Sequence, residues 1–360
     1  MRLKRLELWW RALWIRVLVR LMRRASARPD WSARPHRILF LRHDRAGDMI
    51  LSTGVMRAIA RSHPTITLDV LASPANAAIL QAADYVHDVV VFDKKRLGGY
   101  LATARLLRRR HYDAVIDCMI TAPSLTTLLL IWASGARQRV GISGRGNDAA
   151  FTVTVPPESR PNAHMVDLLA ALARAFDVDP ATVERQPVLT LTDAERARAE
   201  AVWGTRGAGR RVLVNVSAGT SARLWPDERY ARVMTHVRAR DAGATFRVIS
   251  APAETARGER VAREGGGTFV STPSIRDAFA LVAAADFVFT PDTSIAHAAS
   301  AFRKPCVAMY LEGTSERWGL YGTTGLSVEH PGRNLDTLTV ERMLEAVDAV
   351  WDAAFVSPRG

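Results

Sequence analysis

The sequence contains few cysteines. Only two occur in 360 residues, and Cys118 and Cys306 each stand in an apolar run with the pattern of a strand. Two distant cysteines provide neither a disulfide framework nor a Cys-x-x-Cys pair, so nothing indicates a structural zinc site or a thiol redox centre. We interpret both as small core residues and expect a cytoplasmic protein.

Several nucleotide-binding signatures are also missing. No Gly-x-Gly-x-x-Gly follows a predicted strand and no P-loop lysine pattern occurs, which argues against dinucleotide oxidoreductases and P-loop nucleoside triphosphatases. The strand-end loops described below contain no histidine cluster and no Asp-x-Asp pair, so we expect no bound metal. A hydrophobic content of 48% and a charged content of 24% exclude wholesale disorder.

The amino-terminal segment lacks a long uninterrupted hydrophobic run. Residues 1–28 contain nine basic residues and one acidic residue, a net charge of +8 out of +13 for the whole chain. Arginines interrupt every apolar run, so the segment cannot span a bilayer. Basic residues combined with tryptophans favour an amphipathic helix, here residues 1–24, on an anionic inner-membrane surface.

This interpretation of the basic helix has an alternative, in which it packs on the protein's own surface or at an oligomer interface. Nucleic-acid binding is not expected, because the basic residues are not accompanied by a recognisable nucleic-acid-binding motif. On the membrane interpretation, the protein is peripherally associated with the cytoplasmic face of the inner membrane.

The length predicts two domains, because a chain of 360 residues exceeds the size of a single core. Apolar runs alternate with helical patterns in two series, which predicts two doubly wound α/β domains with a ligand cleft between them. The predicted strands are 38–41, 66–71, 89–92 and 114–118, then 211–217, 245–250, 268–270, 286–290 and 305–310. The predicted organisation is a basic helix (1–30), a first domain (36–177), a linker and entry segment (178–209), a second domain (210–350) and a tail (351–360).

A strand–turn–helix pattern at residues 37–60 contains the first candidate site. A buried parallel strand at 37–41 leads through a short turn to Gly47 and Asp48, just before a predicted helix at 49–60. Ligands of open α/β sheets bind at such strand ends, beside helix N-termini. The alternative is that Asp48 simply caps the helix. Asp44 is a competing carboxylate, ranked lower because the helix N-terminus favours the ionised form of Asp48.

The loop 217–226 in the second half follows a predicted strand. Its small residues allow backbone N–H groups to approach a ligand, and Arg223 adds a permanent cation. The alternative is an ordinary surface loop with a solvated arginine. The small residues that we single out are Gly219, Thr220 and Ser221.

A second strand-end loop lies at residues 291–297. Thr293 and Ser294 can donate hydrogen bonds to a phosphate at the start of a helix predicted at 295–301, and Asp292 can cap this helix or accept hydrogen bonds from sugar hydroxyls. For His297 a packing or supporting role is favoured over acid–base catalysis, because a helix N-terminus favours neutral imidazole. A cation and a helix N-terminus in one cleft suit a diphosphate.

Three motifs, in this order, resemble the heptosyltransferase family, glycosyltransferase family 9. They are residues 42–53 (RHDRAGDMILST), 218–226 (AGTSARLWP) and 291–305 (PDTSIAHAASAFRKP), and the resemblance extends from about residue 37 to about residue 349. It implies a GT-B fold, in which two Rossmann-like domains face each other across a cleft, and inverting, metal-independent glycosyl transfer. It further implies that Asp48 is the general base, that Arg223 replaces a diphosphate-binding lysine, and that Asp292, Thr293 and the following backbone hold the nucleotide sugar.

The resemblance also implies the substrates. The donor is ADP-heptose, with no further cofactor, and the acceptor is the lipopolysaccharide core or a lipid-linked relative. Two positions depart from the family pattern, since Arg223 stands where lysine is usual and Ser294 where glycine is usual. Two alternatives therefore stay open: a family-9-like transferase with another nucleotide sugar or a protein acceptor, and a noncatalytic membrane-associated protein that binds nucleotide sugars.

Overall fold

The computed structural model describes residues 2–22, 29–96, 98–119, 123–157 and 163–356. The chain divides into two compact units, Met1–Arg185 and Gln186–Gly360. The division falls inside segment 178–209, which the sequence analysis interprets as the linker and entry to the second domain. Part of that segment is a regular helix, Asp193–Trp203.

The first unit contains a six-stranded parallel sheet with the strand order β3-β2-β1-β4-β5-β6. The central strand β1 is buried on both faces, as its continuous apolar run predicts, and pairs Ile38 with Leu68 on one side and with Ala114 on the other. The strands are β1 (His36–Arg42), β2 (Ile66–Ala72), β3 (Asp88–Val91), β4 (Ala114–Asp117), β5 (Gln138–Ile142) and β6 (Val153–Val155).

The helices of the first unit form two layers, one on each face of the sheet. They are α1 (Arg2–Met22), α2 (Ala46–Ser62), α3 (Gly99–Arg109), α4 (Leu125–Ser134) and α5 (Met165–Ala170), with 3-10 helices at Ala77–Leu80, Asp148–Ala150, Ala171–Phe176 and Pro180–Thr182. One layer contains α2, α5 and the 3-10 helix Ala171–Phe176; in the other, α1 packs beside α4 and α4 beside α3. Residues 1 and 23–28 of the predicted basic segment lie outside the described residues.

The second unit repeats the architecture with the strand order β12-β11-β10-β7-β8-β9. Its strands are β7 (Arg211–Asn215), β8 (Thr245–Ile249), β9 (Thr268–Val270), β10 (Phe287–Pro291), β11 (Cys306–Leu311) and β12 (Gly325–His330). Its helices are α6 (Asp193–Trp203), α7 (Asp227–Arg240), α8 (Thr255–Glu264), α9 (Ile275–Ala284), α10 (Ser294–Ala301), α11 (Ser315–Trp318) and α12 (Val340–Phe355), with 3-10 helices at Ser221–Arg223, Pro252–Glu254 and Leu335–Thr337.

The structure adds three strands to the nine predicted. β5 and β12 contain polar residues and a glycine, and β6 is only three residues long, so none has the apolar run typical of a buried parallel strand. The last helix continues to Phe355, five residues into the segment expected as a tail. Both cysteines are buried, as expected for core residues.

Candidate active site

The carboxyl ends of β1 and β4 form the topological switch point of the first sheet, where the chain leaves in opposite directions from neighbouring strands. Open α/β sheets bind ligands at this position. The buried guanidinium of Arg42 ends β1 and donates to Ser52 Oγ (2.8 Å), Asp44 Oδ2 (3.0 Å) and the Cys118 carbonyl (3.3 Å). It thereby connects the two strand ends to the first turns of α2.

Asp48 lies in the first turn of α2, which begins at Ala46, three residues earlier than predicted. The N-cap is Arg45, so the interpretation of Asp48 as the cap is wrong. Its backbone carbonyl accepts a hydrogen bond from Ser52 Oγ at 2.7 Å. The carboxylate is half-buried and, within the described residues, makes no hydrogen bond or ion pair, although it interacts electrostatically with the guanidinium of Arg42.

Asp44, the competing carboxylate, is engaged by Arg42 in an ion pair of 3.0 Å. Burial raises the pKa of the Asp44 carboxyl, the charge of Arg42 opposes this, and the nearby Asp48 carboxylate raises it further. Asp44 therefore already has a cationic partner, a contact that no local sequence pattern contains, and the ranking of Asp48 above Asp44 stays a prediction.

Asp117 is a third carboxyl at this edge, and the sequence analysis missed it. It is the last residue of β4, and burial raises the pKa of its side chain to about 6. Its carboxylate accepts a hydrogen bond from the backbone N–H of Met119 at 2.9 Å, and it lines a small pocket with Arg145 and Asn147. An apolar strand that ends in a carboxylate is the same signal that singled out the 37–48 segment, so Asp117 was detectable in principle.

His43 marks the border between this edge and the layer that contains α3 and α4. Its ring packs edge-on against Phe92 with centroids 5.6 Å apart, and Nε2 lies 3.3 Å from Thr127 Oγ1 on α4. Burial lowers the pKa of His43, and the charges of Lys94 and Arg42 add to the effect. The imidazole is therefore held mainly in its neutral form at physiological pH.

The second sheet has its switch point between β7 and β10, and a buried asparagine joins the two strand ends. Asn215 donates from Nδ2 to Thr290 Oγ1 (2.9 Å) and to Thr293 Oγ1 (3.2 Å). Its Oδ1 accepts from the backbone N–H of Ser217 at 3.2 Å. Asn215 is not among the residues predicted for the site, because its position inside a buried strand gives no sign of the partner from β10.

Arg223 and Asp292 connect the two predicted loops of the second unit directly. Arg223 Nη1 lies 3.0 Å from Asp292 Oδ2, and about a fifth of the Arg223 side chain and a tenth of the Asp292 side chain are exposed. Arg223 is therefore not a freely solvated surface arginine, which rules out that alternative. Asp292 does not cap α10; Thr293 does, since its Oγ1 accepts from the N–H of Ile295 at 3.2 Å.

The remaining predicted residues occupy three settings. Gly219, Thr220 and Ser221 are exposed, and a side-chain carbon at Gly219 would meet no atom within 4 Å, so this part of the loop is open to a ligand. Ser294 is the half-buried first residue of α10. His297 is buried one turn later, in keeping with a packing role. Gly47, the second residue of α2, is half-buried.

The structure thus gathers the predicted residues at two edges. Arg223, Asp292 and Thr293 meet at the switch point of the second unit, together with Asn215. Gly47 and Asp48 belong to the first unit, at the end of β1. A permanent cation, a carboxylate and a helix N-terminus at one strand edge can bind a phosphorylated ligand that also has hydroxyl groups.

The sequence matches glycosyltransferase family 9 (heptosyltransferase) over residues 100–341, about two thirds of the chain. The matched segment contains Arg223 and Asp292 but begins after Asp48. Among curated protein sequences, none matches this chain.

Solved structures match nearly the whole chain. The glycosyl transferase family 9 protein from Veillonella parvula DSM 2008 superposes with a TM-score of 0.76 at 16% identity, over 90% of this chain and 99% of that one. The E. coli ADP-heptose lps heptosyltransferase II has a TM-score of 0.68 at 19% identity, with 87% and 98% covered. E. coli heptosyltransferase WaaC, solved with ADP, has a TM-score of 0.68 at 20% identity, with 89% and 99% covered. These likenesses confirm the expected GT-B fold.

Proposed function

The chain belongs to glycosyltransferase family 9, and we propose that it transfers a heptose from ADP-heptose to a lipopolysaccharide core acceptor, with inversion at the anomeric carbon. The observation that supports this most directly is the polar group at the β7–β10 switch point, where Arg223, Asp292 and the N-terminus of α10 come together. A nucleotide sugar has both chemical features that such a group recognises, a diphosphate and vicinal hydroxyls.

In this proposal the second unit binds the donor. The diphosphate lies against the guanidinium of Arg223 and the positive end of the α10 helix dipole, beside Thr293 and Ser294. Asp292 accepts hydrogen bonds from the sugar hydroxyls. Negative charge grows on the diphosphate as the glycosidic bond breaks, so a cation and N–H dipoles that are already in place stabilise the transition state more than the ground state.

The first unit supplies the base. As the acceptor oxygen forms a bond to the anomeric carbon, its proton passes to the carboxylate of Asp48, and the bond to the diphosphate breaks on the opposite face of the sugar, which releases ADP. The reaction therefore inverts the anomeric configuration. Asp48 suits this role because its carboxylate is half-buried and makes no ion pair within the described residues, whereas Asp44 is held by Arg42.

The proposed reaction uses no cofactor and no metal ion. Arg223 and the N-terminus of α10 provide the positive potential that a divalent cation would otherwise supply to a leaving diphosphate. E. coli heptosyltransferase WaaC has been solved with ADP and with ADP-2-deoxy-2-fluoro heptose, which makes ADP-heptose the first donor to test.

The proposed acceptor is a lipopolysaccharide core or a lipid-linked relative, met at the cytoplasmic face of the inner membrane. The amino-terminal basic segment, residues 1–24, supports peripheral association with such a surface. Among the described residues, no helix has the length and apolarity required to cross a bilayer.

The test is ADP release from ADP-heptose with heptose-deficient lipopolysaccharide as acceptor, in the absence of added metal. We expect release by the wild type and by Asp84→Asn, which alters an exposed carboxylate of the same unit, and little release by Asp48→Ala. Release with another nucleotide sugar alone would establish a different donor. Nucleotide binding without release under any donor or acceptor would contradict the proposal and favour a binding protein.

A further inference from the structure

Within residues 13–22 of α1, the apolar side chains form two stripes, and only one of them packs on the core of the first unit. Ile15, Leu18, Val19 and Met22 face the core of the first unit. On a helical wheel, Trp14, Val17 and Leu21 lie about 120° away from these residues. The side chains of this second stripe are 53%, 38% and 72% exposed. The second stripe is therefore not explained by the packing of α1 on its own unit.

α4, which packs beside α1, is uncharged and largely apolar. Its ten residues, LTTLLLIWAS, include no charged residue. Leu128 and Ile131 are buried against the sheet, whereas Trp132 on the outer side is 57% exposed. An uncharged, largely apolar helix is normally covered, whereas Trp132 of α4 is not.

α3 continues the same layer on the other side of α4. It exposes Tyr100 (41%) and Leu101 (56%) at its amino-terminal end. Leu106 (38%) and Ala102 are exposed as well, all charged residues of α3 are arginines, and neither α3 nor α4 contains an acidic residue. Among the side chains whose burial is described, the exposed arginines of the three helices are Arg16, Arg20, Arg105, Arg108 and Arg109.

Exposed tryptophans together with arginines in one helical layer match the surface of an anionic bilayer. Tryptophan and tyrosine partition to the headgroup region, where the ring is buried and its polar atom stays hydrated. Each basic residue near an anionic surface adds about 1 kcal/mol of binding free energy. A symmetric dimer through this layer would instead bring arginines of two copies close together, because a two-fold interface uses the same patch on both subunits.

We propose that the outer side of α1, α4 and α3 together is a docking face for anionic membrane lipids, and that α1 is not a separate anchor. The face extends to the candidate active site. The hydroxyl oxygen of Tyr100 lies 3.2 Å from Thr126 Oγ1 at the start of α4. The Tyr100 ring packs against Phe92, and Phe92 contacts the ring of His43. A lipid-borne acceptor held in the same bilayer would therefore meet the protein beside the edge that contains Asp48.

The experiment is co-sedimentation of the full chain with vesicles of phosphatidylcholine containing about one third phosphatidylglycerol, without donor or acceptor. The docking face requires that residues on α4 and α3 matter as well as those on α1. We expect Trp132→Ser to weaken binding about tenfold, Leu101→Ser to weaken it several-fold, and the double variant Arg16→Gln/Arg20→Gln to weaken it about thirtyfold. Binding to pure phosphatidylcholine should be much weaker, and added salt should weaken binding to the anionic vesicles.

Matched controls lie in the second unit. Leu326→Ser removes another exposed apolar residue, and Arg263→Gln/Arg342→Gln removes two exposed arginines; both should bind as the wild type does. Wild-type binding by Trp132→Ser and Leu101→Ser would overturn the proposal, as would equal binding to neutral vesicles. A lipid-independent dimer that Trp132→Ser abolishes, measured by analytical ultracentrifugation, would assign the face to a second copy.

The acceptor part of this inference rests on the proposed function, but the docking part does not. Loss of transfer with normal vesicle binding would count against the proposed reaction. Normal transfer to a soluble, delipidated acceptor with no vesicle binding would count against the docking face.

Discussion

The guanidinium of Arg223 and the carboxylate of Asp292 form an ion pair of 3.0 Å between two loops that are distant in sequence. A diphosphate that approaches Arg223 therefore meets a cation whose charge is already partly compensated. In the proposed mechanism the diphosphate replaces Asp292 as a hydrogen-bond acceptor for part of the Arg223 guanidinium. The Asp292 carboxylate can then accept hydrogen bonds from the sugar hydroxyls. The pair keeps Arg223 in position before the donor arrives, which lowers the cost of ordering a long side chain on binding.

The first prediction concerns this pair. Arg223→Ala should weaken ADP binding by about 10- to 100-fold, because it removes a charge-assisted hydrogen-bond donor, whereas Arg223→Lys should retain most of the affinity. Asp292→Asn should bind ADP at least as tightly as the wild type, since it removes the carboxylate that competes for Arg223. In this variant the affinity for ADP-heptose should exceed the affinity for ADP by a smaller factor than in the wild type. Isothermal titration calorimetry with ADP and with ADP-heptose measures the dissociation constants of the wild type and of each variant. Arg263→Ala, in α8, is the control, and unchanged ADP binding by Arg223→Ala would refute the assignment.

The second prediction concerns the base. Asp48→Asn should lower kcat by about 10²- to 10⁴-fold, the range expected for loss of a general base, and leave the Kd for ADP unchanged because Asp48 and the donor residues belong to different units. Single-turnover measurements with saturating donor separate chemistry from product release. Asp44→Asn is a useful comparison: it should reduce stability by breaking the pair with Arg42 and reduce kcat less. A larger loss of kcat in Asp44→Asn than in Asp48→Asn would reverse the assignment.

The third prediction concerns Asp117 and pH. The folded state raises the pKa of this carboxyl from 3.8 to about 6, so its contribution to stability is fully present below pH 3.8 and is lost as the pH rises through 6. At pH 7.5 the ionised form destabilises the fold by roughly 3 kcal/mol, at about 1.4 kcal/mol per pKa unit. Asp117→Asn keeps an acceptor for the N–H of Met119 and should be more stable than the wild type at pH 7.5 but not at pH 4. Denaturant unfolding at both pH values is the measurement, and a difference that does not change with pH would contradict the prediction.

A carboxylate that destabilises its own fold at neutral pH suggests a role other than folding. The same Asp117→Asn variant should therefore be assayed for transfer at several acceptor concentrations. If Asp117 contacts the acceptor, KM for the acceptor rises while binding of ADP stays the same.

The fourth prediction concerns Glu195, which accepts a hydrogen bond from the backbone N–H of Thr192, the N-cap of α6, and forms a buried two-point ion pair with Arg276 of α9. The pair with Arg276 lowers the pKa of Glu195 from 4.5 to about 2. This stabilisation is present above pH 4.5 and is lost as the pH falls through 2. It amounts to roughly 3 kcal/mol by the same conversion.

Glu195→Gln should therefore destabilise the second unit at pH 7 by about 2 to 3 kcal/mol, and the deficit should shrink toward pH 2. Thermal unfolding across this pH range provides the test. Glu264→Gln, an exposed position in α8, is the control. A deficit that is the same at pH 7 and pH 2.5 would show that packing, and not ionisation, is responsible.

The fifth prediction concerns metal removal. Because Arg223 and the start of α10 neutralise the leaving diphosphate in the proposed mechanism, dialysis against EDTA should leave kcat within about twofold of the untreated enzyme. Added Mg²⁺ should not increase it further. A turnover that collapses in EDTA and returns with Mg²⁺ would contradict this part of the mechanism.

The two series of strands and the three strand-end motifs could be predicted because they are local features. A continuous apolar run followed by small and polar residues predicts a buried strand and the loop after it, regardless of what lies elsewhere in the chain. That signal placed Asp48, Arg223 and Asp292 in segments that follow buried strands, and the structure has Asp48 in the first turn of α2, Arg223 in the 3-10 helix after β7 and Asp292 directly after β10. The same signal failed for β5, β6 and β12, whose short or polar sequences become strands only because a neighbouring strand provides hydrogen bonds.

The pairings within each edge depend on contacts between residues that are far apart in the chain, and no local pattern contains them. The order of the strands brings Asn215 to Thr293, Arg223 to Asp292 and Arg42 to the end of β4. Burial, which depends on everything packed around a group, raises the pKa of Asp117. Sequence periodicity predicted a basic helix with tryptophans at the amino terminus, but its continuation across α4 and α3 into one exposed face follows from how three helices pack on a sheet. Hydrophobic periodicity reports on neighbours along the chain, whereas a site and a surface are made by neighbours in space.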